Sequence, residues 1–128
     1  MFKNPLYLYG EDDVSVPSHI NLGRFMIDAF RKNGDKIAVI NGTTDEKLTY
    51  RDLLENSINI ALSLTEMGVK RGDTVAICSE NRQENLHAMI GVLCAGATVS
   101  PLDSACTKEE ITNLFNMSKP KMIFCSPT

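Results

Sequence analysis

Residues 72–103, GDTVAICSENRQENLHAMIGVLCAGATVSPLD, decide the fold of this chain. Residues 74–79, TVAICS, place apolar residues next to one another rather than in alternation, which is typical of a strand covered on both faces. After a turn at Glu80-Asn81, the sequence predicts a helix over residues 83–95 that is apolar around most of its girth and therefore mostly buried. A second strand is predicted over residues 97–101. This strand–helix–strand order with short turns predicts the unit of a parallel sheet.

The same order continues downstream of this unit. Thr107 is followed three residues later by Glu110, which is a capping box that predicts the start of a helix, and Pro120 ends it. Residues 122–125, MIFC, predict a last buried strand. From Thr74 onward we therefore predict an α/β fold, a partial doubly wound parallel sheet of the βαβαβ type with right-handed crossovers.

A helix–hairpin–helix region is predicted upstream of the sheet. The first helix covers residues 22–32, with Asn21 as its N-cap, and places a set of apolar residues on one face: Leu22, Phe25, Met26, Ala29 and Phe30. Short strands at residues 36–41 and 47–49 predict a hairpin. Thr49 caps the next helix, which ends at Gly68. Asp52 lies at the third helical position, where the longer Glu would complete a capping box more readily.

Composition and charge narrow the class of protein. The chain has 128 residues, of which 43% are hydrophobic and 23% charged, and this fits a single folded domain over residues 1–128. The net charge of -3 gives no electrostatic reason to expect nucleic acid or an anionic membrane as a partner. No segment has the apolar length of a membrane span, and the first residues lack the apolar core of a signal peptide. We therefore expect an intracellular protein.

The four cysteines contain no CxxC pair, which argues against a zinc knuckle or a thioredoxin-like site. They are Cys78, Cys94, Cys106 and Cys125. Because Cys78 and Cys125 lie in apolar strand-like runs and Cys94 in an apolar helix, we predict buried, free thiols. No spacing of His, Cys, Asp or Glu predicts a metal site.

Phosphate-binding loops are absent from the sequence. It contains neither GxxxxGK nor GxGxxG, and residues 80–83, ENRQ, have no glycine that would let a phosphate approach the backbone. Asp103-Ser104 follows the second strand and could face a ligand at the carboxyl edge of the sheet, but a turn is the favoured interpretation. An alternative that stays open is a non-catalytic module that holds a nucleotide or a protein partner near Asn81 and Asp103.

Two features of the central helix carry further predictions. His87 lies between its polar and apolar faces with Glu84 one turn earlier, which favours a surface ion pair over general base catalysis. Gly91 and Gly96 each lower helix propensity by roughly 1 kcal/mol in a helix interior. We expect them to permit close approach of the helix backbone to the sheet. No serine lies in a GxSxG elbow.

Residues 48–126 resemble the amino-terminal part of the adenylate-forming enzymes, which include acyl-CoA synthetases, 4-coumarate-CoA ligases and beetle luciferases. The segments that carry the resemblance are LTY at 48–50, GVKRGD at 68–73 and VSPL at 99–102. CSEN at 78–81 and NMSKP at 116–120 are most similar to the luciferase and insect luciferase-like branch.

The resemblance implies a parent reaction and a place in the parent enzyme. Members use ATP and magnesium to convert a carboxylic acid to an acyl-adenylate, and coenzyme A then forms a thioester; in luciferases, oxygen attacks instead. Their Ser/Thr/Gly-rich phosphate loop, nucleotide contacts and C-terminal lysine lie downstream of the matched region. The resemblance therefore assigns no catalytic, cofactor-binding or metal residue to this chain.

From the resemblance we expect an incomplete lobe of a larger amino-terminal domain that is catalytically inactive alone and binds no cofactor itself. Its partner would be the remainder of the parent enzyme, which takes the carboxylic-acid substrate. A cytoplasmic or peroxisomal location is expected, and residues 126–128, SPT, are not a peroxisomal tail. The last strand should leave an unpaired edge and apolar surface open.

Overall fold

A computed structural model describes Leu6 and residues 17–126 of the chain. The elements follow in the order α1 (Leu22–Asn33), β1 (Ile37–Ile40), β2 (Lys47–Thr49), α2 (Tyr50–Glu66), β3 (Thr74–Cys78), α3 (Gln83–Cys94), β4 (Thr98–Leu102), α4 (Lys108–Ser118) and β5 (Met122–Cys125). The predicted order of helices and strands is confirmed, with element ends that differ from the predicted ones by one or two residues.

The three later strands form one parallel sheet in the order β4-β3-β5. Val75 of β3 lies opposite Val99 of β4 and Met122 of β5, so the three strands are in register. The chain moves from β3 to one neighbour and then back across β3 to the other. Because crossovers between parallel strands are right-handed in nearly all proteins, we place α3 and α4 on opposite faces of the sheet. This is the predicted doubly wound arrangement, and β1 and β2 form the predicted antiparallel hairpin.

Two apolar clusters hold these elements together. The first joins α2, α3 and one face of the sheet around Leu64, Val75 and Val92, which are fully buried. Val99, Met122 and Phe124 pack against it from the sheet. The second joins α1, α2, α3 and the hairpin; its buried members are Phe30, Leu53 and Ile90. The α2–α3 pair takes part in both clusters and is the centre of the fold.

The face of α1 that enters the core differs from the predicted one. Gly23, Ile27 and Phe30 are buried, whereas Phe25 is 47% exposed. Gly23 turns inward because the start of α1 meets the end of α3. A Cβ atom at Gly23 would lie 2.7 Å from the backbone of Leu93. The prediction of this face from apolar side chains overlooked Gly23, which is buried although it has no side chain.

The predicted burial of the last strand is wrong. Ile123 is 43% exposed and Cys125 is exposed, while Met122 and Phe124 face the first cluster. Alternate residues of a strand point to opposite faces, so the α2–α3 side of β5 is covered and the other side is open. On that open side, α4 contributes no fully buried residue. β5 pairs with β3 alone within the described sheet, and the prediction of open apolar strand surface is confirmed.

Two helix starts have complete capping boxes. The Asp52 carboxylate accepts a hydrogen bond from the Thr49 backbone N–H at 2.8 Å, so the shorter Asp does reach back. At α4, Thr107 and Glu110 make the same reciprocal pair, as predicted. These boxes satisfy backbone donors that a helix leaves unpaired at its first turn.

Candidate functional site

The carboxyl edge of the sheet is the place where an open α/β fold most often binds ligands. A cavity of about 300 Å³ opens at this edge, beside the ends of β3 and β5 and the first turns of α3. Its mostly apolar wall is formed by Ile60, Ser79, Arg82, Glu84, Asn85, Ala88, Phe124, Cys125 and Ser126. This volume is at the lower end of the range for small-molecule sites.

An ionic cluster forms the rim of this cavity. The Arg82 guanidinium contacts the carboxylates of Glu80 and Glu84, each at 3.2 Å. Ser126 donates a hydrogen bond to Glu80 Oε2 at 2.6 Å, and this bond, with help from Arg82, holds the pKa of Glu80 below its usual value. Asn85 donates to the Glu80 backbone carbonyl at 2.7 Å. Arg82 thus pairs with two carboxylates, and the net negative charge of this cluster disfavours a phosphate beside it.

The sequence alone did not single out this cluster. The signal was present in residues 80–84, ENRQE, where an arginine is flanked by glutamates two positions away on each side. Ser126 could not be linked to Glu80 in advance, because the two residues meet only through the parallel pairing of β3 and β5.

The two residues of the predicted binding edge have local roles. The Asp103 carboxylate accepts from the Ala105 backbone N–H at 2.9 Å, and its carbonyl accepts from the Cys106 N–H at 3.2 Å. Asp103 therefore forms a turn, the interpretation that the sequence favours. Asn81 lines two clefts between α3 and the hairpin, of about 310 Å³ and about 190 Å³. Neither residue lines the 300 Å³ cavity.

His87 does not form the predicted ion pair with Glu84. The Glu84 carboxylate pairs with Arg82, and His87 Nε2 is buried with no hydrogen-bond partner among the residues that the structure describes. Burial lowers the pKa of His87, against the weaker opposing effect of Glu84 and Asp52. The lowered pKa favours the neutral imidazole at neutral pH, between α3 and the start of α2.

The cysteines are free, and their burial differs from the prediction. Cys78, Cys94 and Cys106 are half-buried, but Cys125 is exposed because it ends the edge strand. Cys94 donates weakly to the Gly23 carbonyl at 3.7 Å, which ties α3 to α1. Burial raises the pKa of the Cys78 and Cys94 thiols.

Residues 17–126 and Leu6 contain no group of three His, Cys, Asp or Glu side chains placed to hold a metal ion. In the same part of the chain, no helix combines the length and apolar character needed to cross a membrane.

Comparison with known proteins identifies the family of this chain, which the geometry of the cavity does not. The family model described as AMP-binding enzyme matches residues 27–128. The chain is 30% identical to 4-coumarate–CoA ligase 1 of Petroselinum crispum over 87% of its length and 20% of that protein. It is 30% identical to luciferin 4-monooxygenase of Photuris pensylvanica over 93% of its length and 22% of that protein. The chain thus spans about a fifth of the length of these relatives.

The structural comparison agrees with the sequence comparison. The luciferase-like enzyme of the nonluminescent mealworm Zophobas morio superposes with a TM-score of 0.82 at 30% identity. That superposition covers 87% of this chain and 27% of the mealworm chain. A red-emitting luciferase of Phrixothrix hirtus superposes with a TM-score of 0.75 at 29% identity, over 82% of this chain.

Proposed function

This chain belongs to the AMP-binding enzyme family, and on that basis we propose that it forms the amino-terminal lobe of an ATP-dependent acid–thiol ligase. The match of residues 27–128 to the family is the observation that carries this proposal. The similarity to a 4-coumarate–CoA ligase supports a carboxylic acid as the substrate class.

The proposed reaction of the whole enzyme has two steps. A carboxylate oxygen attacks the α-phosphorus of ATP, which forms an acyl-adenylate and releases pyrophosphate. The sulfur of coenzyme A then attacks the acyl carbon, which forms a thioester and releases AMP and a proton. The first step gathers negative charge on the phosphates, so it requires cations and backbone N–H donors arranged around them.

The residues of this chain do not fit the magnesium–nucleotide complex. The sequence has no glycine-rich phosphate loop, and the Arg82 charge is neutralised by Glu80 and Glu84. We therefore propose that ATP, magnesium and coenzyme A are held by the remainder of the enzyme. In this division of roles the present chain is a structural part of the enzyme, in which the α2–α3 pair packs against β3.

The remainder of the enzyme is also the proposed partner of the open face of β5. Ile123 is 43% exposed on that face, and β5 has only β3 as a neighbour in the described sheet. An apolar strand face and a free strand edge are stabilised when a further layer covers them.

Exchange of labelled pyrophosphate into ATP tests the proposed inactivity of the 128-residue chain. The chain would be mixed with ATP, magnesium, pyrophosphate and a panel of fatty and cinnamic acids, with the full-length parsley 4-coumarate–CoA ligase as the positive control. We expect exchange with the control and none with the chain. Acid-dependent exchange catalysed by the chain would refute the division of labour proposed above.

The mostly apolar cavity beside Ala88 and Phe124 favours a second candidate, a non-catalytic site for the nucleoside part of a nucleotide or of coenzyme A, with the phosphates outside the cavity. Thermal unfolding in the presence of AMP, ATP or coenzyme A distinguishes it. A ligand at about 100 times its dissociation constant adds about 2.7 kcal/mol of stability. A shift with AMP but not with inorganic phosphate would support a nucleoside site, whereas no shift at millimolar ligand would exclude this candidate.

A further inference from the structure

Two thiols lie side by side at the carboxyl ends of neighbouring strands. Cys78 is the last residue of β3, Cys125 is the last residue of β5, and the two are register partners in the parallel ladder. Neighbouring strands are about 4.7–4.9 Å apart, which is within the Cα–Cα range of about 4.4–6.8 Å found in disulfides.

Both thiols point to the same side of the sheet. Phe124 packs against the α2–α3 cluster, and side chains alternate along a strand, so Cys125 points to the opposite face. Register partners in adjacent strands share a face, which places the Cys78 thiol beside that of Cys125. Access is unequal, because Cys125 is exposed and Cys78 is half-buried.

We propose that, while the open face of β5 is uncovered, Cys78 and Cys125 form a reversible disulfide when the chain meets a low-molecular-weight disulfide. The exposed Cys125 thiolate attacks one sulfur of the disulfide, which forms a mixed disulfide and releases one small thiolate. The Cys78 thiolate then attacks the Cys125 sulfur, which closes the protein disulfide and releases the second small thiolate. The two protein thiols lose two electrons and two protons, and the small disulfide becomes two thiols.

The order of these steps follows from the environment of each thiol. Burial raises the pKa of Cys78, which makes it a poorer first nucleophile toward a dissolved reagent. Once Cys125 is joined to the small thiol, the next step is intramolecular. The neighbouring Cys78 thiol then displaces the small thiol without a diffusional encounter.

The position of the pair favours a disulfide that is easily reduced. The Cβ atoms of a disulfide lie about 3.5–4.5 Å apart, somewhat closer than the spacing of parallel strands, so the strand ends must draw together. Ser79 and Ser126, which follow the two cysteines, lie outside the strands, so the backbone there is not held by further ladder pairing. Strained and exposed disulfides are the more easily reduced ones.

Cys106 is the competing partner. It follows β4 in the turn that Asp103 forms, and its thiol is close enough to Cys78 to contribute to the raised pKa of Cys78. A test must therefore separate a Cys78–Cys125 bond from bonds to Cys106.

Peptide mapping under non-reducing conditions makes this separation. Cleavage after Lys and Arg places Cys78 in residues 72–82, both Cys94 and Cys106 in residues 83–108, and Cys125 in the peptide that starts at Met122. After incubation with oxidised glutathione, acid quenching and alkylation, we expect the first and third peptides linked. The mass should be their sum less two hydrogen atoms, and dithiothreitol should reverse the link.

Two serine variants complete the test. Cys106→Ser should leave the link intact, whereas Cys125→Ser should abolish it, and circular dichroism in reducing buffer reports whether each variant is folded. The proposal is overturned if Cys125 carries only glutathione while Cys78 is alkylated. It is also overturned if the link joins residues 72–82 to residues 83–108 in the unmutated chain.

Discussion

Replacement of Gly91 by alanine probes the contact on which the fold depends, the crossing of α2 and α3. A Cβ atom at Gly91 would lie 2.5 Å from Ile60 Cγ2, 2.7 Å from Ile60 Cβ and 3.1 Å from the Ser57 carbonyl oxygen. Unbonded carbon atoms are normally about 3.5–4.0 Å apart. The two helices must therefore move apart, or Ile60 must shift, before the methyl group fits.

Two opposing terms set the size of the effect. Alanine in place of glycine favours a helix interior by roughly 1 kcal/mol. Overpacking of a tight core typically costs about 1–3 kcal/mol, and more when the backbone must move. The obstacles at Gly91 include a Cβ atom and a backbone oxygen rather than the flexible end of a side chain, so we place the cost at the upper limit. The expected net loss is about 2 kcal/mol, or a Tm lower by roughly 8 °C at this chain length.

Urea unfolding followed by circular dichroism measures the loss for Gly91→Ala. Gly42→Ala is the matched control, because no atom lies within 4 Å of a Cβ built there, and its stability should change little. A double-mutant cycle with Ile60→Ala identifies the cause. Removal of the Ile60 methyl groups makes room, so the double variant should lose less stability than the sum of the single variants. A Gly91→Ala protein more stable than the parent by about 1 kcal/mol would show helix propensity acting alone and refute the close crossing.

Three further changes test other parts of the structure. Thr49→Ala removes the hydroxyl that accepts from the Asp52 N–H at 3.1 Å, and urea unfolding should show a loss of about 1 kcal/mol; an unchanged midpoint would contradict the cap. Partial burial holds the pKa of His87 below 6.5, so the unfolded chain binds the proton more readily and stability should fall as the pH drops below 6.5. His87→Gln should reduce this dependence of stability on pH in thermal melts. If replacement of the exposed His19 by Gln reduces it instead, the pH dependence does not arise from His87. Ile123→Thr should reduce the binding of a dye to apolar surface without lowering Tm; undiminished binding would place the apolar surface elsewhere.

The sequence predicted the order of elements because each boundary carries a local signal. Thr49 and Thr107 cap helices through residues three positions later, and those bonds are present. The apolar run that forms β3 is buried on both faces, as its lack of alternation indicated. Signals of this kind depend on neighbours within one turn of helix or one strand, so they can be interpreted without knowledge of the fold.

Errors arose where a residue contacts something distant in sequence. Gly91 was expected to let α3 approach the sheet, but the close contact is with Ile60 and Ser57 of α2. His87 was assigned to Glu84 by spacing, yet Arg82 is the nearer partner of that carboxylate. An apolar β5 was taken as buried because its residues are apolar, although burial depends on the layers that surround a strand.

The site was harder to predict than the fold because the carboxyl edge of a parallel sheet collects residues from separate segments. Glu80 follows β3 and Ser126 follows β5, and their 2.6 Å hydrogen bond exists only because the strands are neighbours. The same pairing brings Cys78 beside Cys125.

At this edge the chain presents two thiols and an arginine paired with two glutamates, instead of glycine N–H groups. A nucleotide phosphate requires free positive charge or backbone donors, and thiols supply neither. The side chains at this edge therefore favour the exchange at sulfur proposed above, and the proposed adenylation would use residues outside this chain.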